Sequence, residues 1–170
     1  MIEDNDLSTV QKGKVTEALV ASTLILASGG RLSPFAPISD DCGIDLIVLD
    51  KKTHRTLPLQ VKSRIANPAR PTVQFNVRKA SFGDLGNRYL LGVLFDPVNI
   101  ALTASWLIPM SRVPNVSVDK PDTYALTPNT LLGSRDRYQE FRLNNASDLA
   151  NAVLSAIAGE DPSLTKRETA

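Results

Sequence analysis

Residues 44–64 leave this chain little choice but a β-hairpin. Residues 44–49, Ile-Asp-Leu-Ile-Val-Leu, form a mostly continuous apolar run of the kind a buried strand shows. Residues 56–64 alternate instead: Leu57, Leu59 and Val61 take one side, while Gln60, Lys62 and Arg64 take the other. Between them, residues 50–55 hold Asp50, Lys51, Lys52, Thr53, His54 and Arg55, a polar turn. Antiparallel pairing sets Asp45, near the start of the first strand, opposite the end of the second. Gln60 and Lys62 lie at that end and project from one face, because a strand repeats every second residue. Pro58 removes one ladder donor, which points to an edge position or a bulge there.

Upstream the pattern is helical. Residues 7–27 have Ser8 or Asp6 as a cap and Gly29-Gly30 as a stop. At about 100° per residue, Val15, Ala18, Leu19, Ser22 and Leu26 share one face. Val10, Gly13, Val20, Ala21 and Leu24 share the opposite one, so the helix is expected to be covered on most of its circumference. Glu17 falls in the middle of that second apolar face. Strands are expected at 31–35, 72–77, 89–95, 102–108 and 138–143, with a short helix or turn at 78–87. Residues 110–130, punctuated by Pro114, Pro121 and Pro128, carry no readable element. Residues 146–158 read as a helix capped by Asn145 or Ser147, with Leu149, Val153, Leu154 and Ile157 as its buried stripe. This order predicts an α/β fold, a central mixed β-sheet flanked by α-helices. One domain over residues 1–158 is expected, with a polar, disordered tail at 159–170.

Composition narrows the chemistry. One cysteine, Cys42, excludes an internal disulfide and a cysteine-rich zinc site. One histidine, His54, lies in the polar turn and is poorly placed for a general base. Ser28-Gly29-Gly30 stops a helix without starting another, so it makes no phosphate loop. No small-molecule cofactor is expected. No run approaches the roughly 20 apolar residues that span a bilayer. The acidic start, Glu3-Asp4-Asn5-Asp6, is unlike a secretory signal, so the expected location is cytoplasmic, away from membranes. The net charge of +1 conceals an uneven distribution. Residues 1–50 hold three basic and eight acidic side chains, whereas residues 51–88 hold nine basic against Asp84 alone. A basic segment after an acidic one is compatible with phosphate binding beside a carboxylate–metal site.

Metal-assisted phosphodiester hydrolysis needs a few hard oxygen ligands converging with a group that orients water or balances charge. The hairpin supplies such a convergence. Gly43-Ile44-Asp45-Leu46-Ile47-Val48, followed by Leu59-Gln60-Val61-Lys62-Ser63, resembles the core of the PD-(D/E)XK, restriction-endonuclease-like nuclease superfamily. The likeness is to the Mrr and Holliday-junction-resolvase branch, with a Gln-x-Lys variant of the motif. Gly13-x-x-x-Glu17 on the first helix resembles the extra acidic residue of those relatives. The resemblance covers residues 13–64. It implies a restriction-endonuclease-like fold and cleavage of DNA with Mg²⁺ or Mn²⁺, in defence, repair or mobile-element biology. Asp45 and Glu17 would bind the metal, Gln60 would offer its amide oxygen, Val61 its carbonyl, and Lys62 would position water or stabilise charge. Many such relatives dimerise, so a homodimer is expected.

The basic side chains nearest the motif, Lys51, Lys52, Arg55, Arg64 and Arg70, are the candidate DNA contacts. Asp40 and Asp41 suit turn hydrogen bonds better than metal binding, and Cys42 suits packing. Trp106 and Phe95 read as core residues. A plainer account of each motif residue stays open: Asp45 as a turn residue, Gln60 and Lys62 as a solvent face, Glu17 as the partner of Lys14. Two rival functions therefore remain, a catalytically degenerate relative that binds DNA or protein, and an unrelated α/β interaction domain.

Overall fold

The structure is a computed structural model describing residues 8–39, 43–67, 69–81 and 87–160. It opens with helix α1 (Thr9–Ala27), capped at Ser8 by a reciprocal pair of bonds with Gln11. Strand β1 (Leu32–Phe35) follows, then the hairpin of β2 (Leu46–Asp50) and β3 (Thr56–Ile65). Next come β4 (Phe75–Arg78), β5 (Tyr89–Asp96) and β6 (Ala101–Pro109). The segment without a sequence signal holds α2 (Val113–Val116), β7 (Val118–Asp119) and β8 (Thr123–Leu126), and β9 (Arg142–Leu143) and α3 (Ala146–Ala158) end the fold. Six strands form a central sheet in the order β1-β2-β3-β5-β6-β9. Only β3 and β5 are parallel in it, so the sheet is mixed and the class is α/β, as the pattern predicts.

The two faces of this sheet are covered differently. Val20 and Leu24 of α1 and Leu149, Val153 and Ile157 of α3 pack with Leu57, Leu59, Leu91 and Val93 on one face. On the other face lies a three-stranded antiparallel sheet, β4-β8-β7, whose Phe75, Val77 and Leu126 pack with Leu90, Trp106 and Ile108. Gly92 seats this second layer. A Cβ there would come within 2.8 Å of the Phe75 ring, so the missing side chain leaves a pit on β5 that Phe75 fills. The Phe75 ring also meets Trp106 at 5.9 Å and 56°. Truncating a buried phenylalanine of this kind to alanine costs about 3–5 kcal/mol.

Three expectations change. The strand expected at 138–143 shrinks to β9, because Gln139–Phe141 form a short helical turn ahead of it. α1 is buried along one stripe, Thr16, Val20 and Leu24, while Val15 and Leu26 on the opposite face are 41% and 80% exposed. Apolar periodicity marks both stripes, but only one of them lies against the sheet and α3. Pro58, in turn, lies in a central strand rather than at an edge or a bulge. Asp45 N–H donates to the Leu59 carbonyl, so Leu59 turns its polar groups toward β2 and Pro58 turns its nitrogen toward β5. The β3–β5 register begins only at Leu59↔Tyr89, so no ladder bond is lost at Pro58.

The turn end of the hairpin is a closed clip. Asp50, 1% exposed, accepts from Arg31 Nε at 2.8 Å and Arg31 Nη2 at 2.7 Å. It also accepts from Lys52 N–H and the Thr53 hydroxyl, each at 2.9 Å. The paired Arg31 guanidinium holds the Asp50 carboxyl far below the ordinary range. Burial opposes that shift, and the Lys52 and Thr53 donors add to it.

Candidate functional site

The other end of the hairpin is open. β2 pairs with β3 from Leu49↔Thr56 to Leu46↔Leu59 and then leaves it. The next β3 residue with its backbone directed toward β2 is Val61, and its N–H donates to Asp45 Oδ2 at 2.6 Å. Asp45 thus closes the ladder with its backbone and extends it by one bond with its side chain. By the same alternation the Val61 carbonyl opens onto the gap that β2 leaves. Beyond Leu59, β3 keeps only β5 as a strand neighbour among the described residues, so residues 61–65 form a one-sided edge there.

That edge is part of the wall of a cleft of about 1120 Å³, which also takes in α1 and the start of β4. This exceeds the roughly 300–1,000 Å³ of a small-molecule site. Six of the residues singled out from sequence line it: Glu17, Asp45, Val61, Lys62, Arg64 and Arg70. Lys62 lies opposite Gly92 in the parallel register, one strand spacing of about 4.8 Å from the pit that Phe75 fills. The lining also includes Lys12 and Lys14, which sequence reasoning did not place among the binding residues. The available signal was their position within five residues of Glu17 on the same helix. Among the described residues, five basic residues and two carboxylates line the cleft. Glu17, with 16% of its side chain exposed, accepts from Lys14 Nζ at 2.8 Å, so the plainer pairing is formed within the cleft wall.

Gln60 is not on that wall. It is 6% exposed, and its Nε2 lies 3.1 Å from where a Cβ on Gly43 would stand. Gly43 has a φ of +64°, which a side chain would strain, and its bare Cα lets the chain turn over Gln60. The Gln60 Oε1 is buried and meets no hydrogen-bond donor among the described residues. Such an acceptor is costly unless something satisfies it. Lys51, Lys52 and Arg55 lie at the closed end, roughly 20 Å from Lys62 along β3 at a strand's rise per residue. There Arg55 Nη1 donates to the Ala158 carbonyl at 3.1 Å, tying the turn to the end of α3. Asp40, Asp41 and Cys42 lie outside the described residues, as do 161–170 of the expected tail. Trp106 and Phe95 are core residues, 0% and 4% exposed.

Among the described residues, no group of three or more His, Cys, Asp or Glu side chains is placed to hold a metal ion. The carboxylate oxygens that line the cleft are of the donor type that a hard divalent cation takes. Mg²⁺ typically takes one or two carboxylates plus substrate phosphate, and the cleft offers Glu17 and Asp45. The orphaned Gln60 oxygen, one residue from Val61, is of the same hard donor class.

No family model matches the chain, and no curated protein matches it. Among solved structures, the bacterial homing endonuclease I-Ssp6803I is similar with a TM-score of 0.52, over 96% of this chain and 99% of that one. The sequences are 15% identical, so the likeness is one of fold. This chain has an α/β fold that a homing endonuclease also uses. No helix among the described residues is long and apolar enough to cross a membrane.

Proposed function

We propose that the cleft binds DNA and hydrolyses its phosphodiester bonds with a divalent metal, as a PD-(D/E)XK-type nuclease of the Gln-x-Lys variant. The observation that carries this reading is the parting of β2 and β3 at Asp45, which puts one carboxylate and Lys62 on the same cleft that Glu17 enters from α1. The fold shared with a homing endonuclease supports it. Asp45 and Glu17 would hold Mg²⁺ or Mn²⁺, with the Val61 carbonyl as a further donor; the Gln60 amide, buried off the cleft wall, would have to turn toward the ion to add its oxygen. When bound, the ion supplies Lewis-acid charge to the scissile phosphate and an activated water. Lys62 balances charge that grows on the phosphate oxygens and orients the attacking water. Lys12, Lys14, Arg64 and Arg70 hold flanking phosphates in the cleft.

A second reading is favoured by one feature. The motif position that would usually add a second strand carboxylate is a neutral amide lying off the cleft wall. In that case the same basic cleft binds DNA without cutting it. Purified protein incubated with linear, junction and single-stranded DNA in Mg²⁺ or Mn²⁺ decides between them. Wild-type cleavage that falls at least about 100-fold in Asp45→Ala and Lys62→Ala is the expected result. Equal cleavage by all three proteins would rule out the nuclease assignment. Binding without metal-dependent cleavage assigns the second reading.

A further inference from the structure

Gln74 and Asn76 line the same cleft as Lys62 and are both exposed, on either side of the buried Phe75. Residues two apart share a face, so their amides project together, away from the ring that anchors β4 in the Gly92 pit. They are joined to each other: Gln74 Nε2 donates to Asn76 Oδ1 at 2.7 Å. That bond leaves the Gln74 oxygen as an acceptor and the Asn76 amide nitrogen as a donor. Two exposed amides fixed in this way form a small preorganised surface of one acceptor and one donor. It sits at the start of β4, with Gln74 just before the strand and Asn76 within it, and lines the same cleft as Lys62. Phosphate oxygens only accept hydrogen bonds, so such a surface suits them less well than the edge of a base.

We propose that the Gln74–Asn76 amide pair reads the major-groove edge of an A·T pair in DNA held by the cleft. Adenine presents an N6 donor and an N7 acceptor there, the complement of the Gln74 oxygen and the Asn76 nitrogen. The inference rests on the DNA-binding part of the function proposed above, and not on cleavage. The neighbouring basic residues supply sequence-independent attraction, and the amide pair supplies the preference. A good two-point contact with adenine discriminates against other bases by about ten- to a hundredfold.

The test is selection from a randomised duplex library by the full-length protein, with Ca²⁺ in place of Mg²⁺ so that binding is read without cutting. Wild type is expected to enrich adenine at one position. The double variant Gln74→Ala/Asn76→Ala is expected to lose at least about tenfold of that enrichment while keeping general affinity within a few-fold. Asn76→Asp, which exchanges the donor for an acceptor, is expected to shift the preference away from adenine, toward cytosine. Unchanged enrichment in the variants overturns the inference. Uniform weakening on all sequences also overturns it, because the pair is then a backbone contact. Wild-type binding with no base preference overturns it too and leaves the nuclease reading intact. Selective binding without cleavage in Mg²⁺ has the opposite effect: the base-reading role stands and the nuclease reading falls. No binding to duplex DNA overturns the inference and leaves the nuclease reading to the single-stranded and junction substrates.

Discussion

Asp45 and Asp50 border or end the same strand, one at each end, and they do opposite work. Asp50 is sealed into the turn, both oxygens taken up by Arg31, Lys52 and Thr53 of its own chain. Asp45 accepts from Val61 N–H and lies on the wall of the cleft. Residue type does not separate the two; their places do, one sealed at the turn and one on the cleft wall. A buried carboxylate held by Arg31 and its own turn ties the fold together. One placed where two strands part is directed at whatever enters the gap.

Asparagine at each position tests that contrast most directly. Asp45→Asn keeps the size of the side chain and an oxygen for Val61 N–H, so melting is expected to change less than in Asp50→Asn. DNA cleavage in Mg²⁺ is expected to fall at least about 100-fold, because the charge that would hold the metal is gone. Asp50→Asn reverses the pattern. Losing a charged, doubly bonded partner of Arg31 is expected to cost about 2–3 kcal/mol, or roughly 4–12 °C in Tm for a chain of this size. Cleavage per folded molecule should stay near wild type. If Asp50→Asn lowers cleavage as much as Asp45→Asn does at a temperature where both are folded, the division of labour is wrong.

The same carboxylate sets an acid limit. Because the Asp50 carboxyl is held below its unfolded value by Arg31, its contribution is complete at neutral pH. It is lost as pH falls below the ordinary aspartate value of about 3.9 toward the folded value. Wild type should therefore lose stability through that window faster than Asp50→Asn, and the gap between their denaturation midpoints should narrow. A gap that stays constant down to pH 2.5 (roughly one and a half units below the ordinary value) would mean that Asp50 does not carry this slope.

How much of this was legible in the sequence follows the range of the interactions. The hairpin, its faces and the meeting of Asp45 with the Lys62 end across one turn come from strand period and turn chemistry, which act over a few residues. α3 and its Asn145 cap were legible for the same reason. The second sheet was not. β4 finds β8 nearly fifty positions later, with Phe75 opposite Leu126, and nothing near either strand announces the pairing. The burial of Phe75 in the Gly92 pit is equally non-local, and so is the direction in which it holds Gln74 and Asn76. Gln60 shows the limit within the motif itself. Strand alternation put it on the face of Lys62, but its side chain is buried beside Gly43 and does not line the cleft. The outer stripe of α1 was marked as covered because periodicity finds apolar faces without telling which of them meets a partner.

The smallest effects sharpen the same contrast through the basic residues. Arg64 and Arg70 line the open end, whereas Arg55 is tied to the Ala158 carbonyl at the closed end. If DNA lies along the cleft, Arg64→Ala and Arg70→Ala should each weaken binding of unrelated sequences by a similar few-fold. Each should also reduce the slope of log affinity against log salt by about one, the signature of a single lost phosphate contact. Lys52→Ala and Arg55→Ala should leave that slope unchanged, since a duplex seated at Lys62 would have to reach roughly 20 Å along β3 to touch them. Titrations at several salt concentrations measure all four variants on one scale. A slope that drops equally for Arg55 and Arg64 would move the DNA path off the cleft and onto the hairpin's length, and the basic turn would then belong to the binding surface after all.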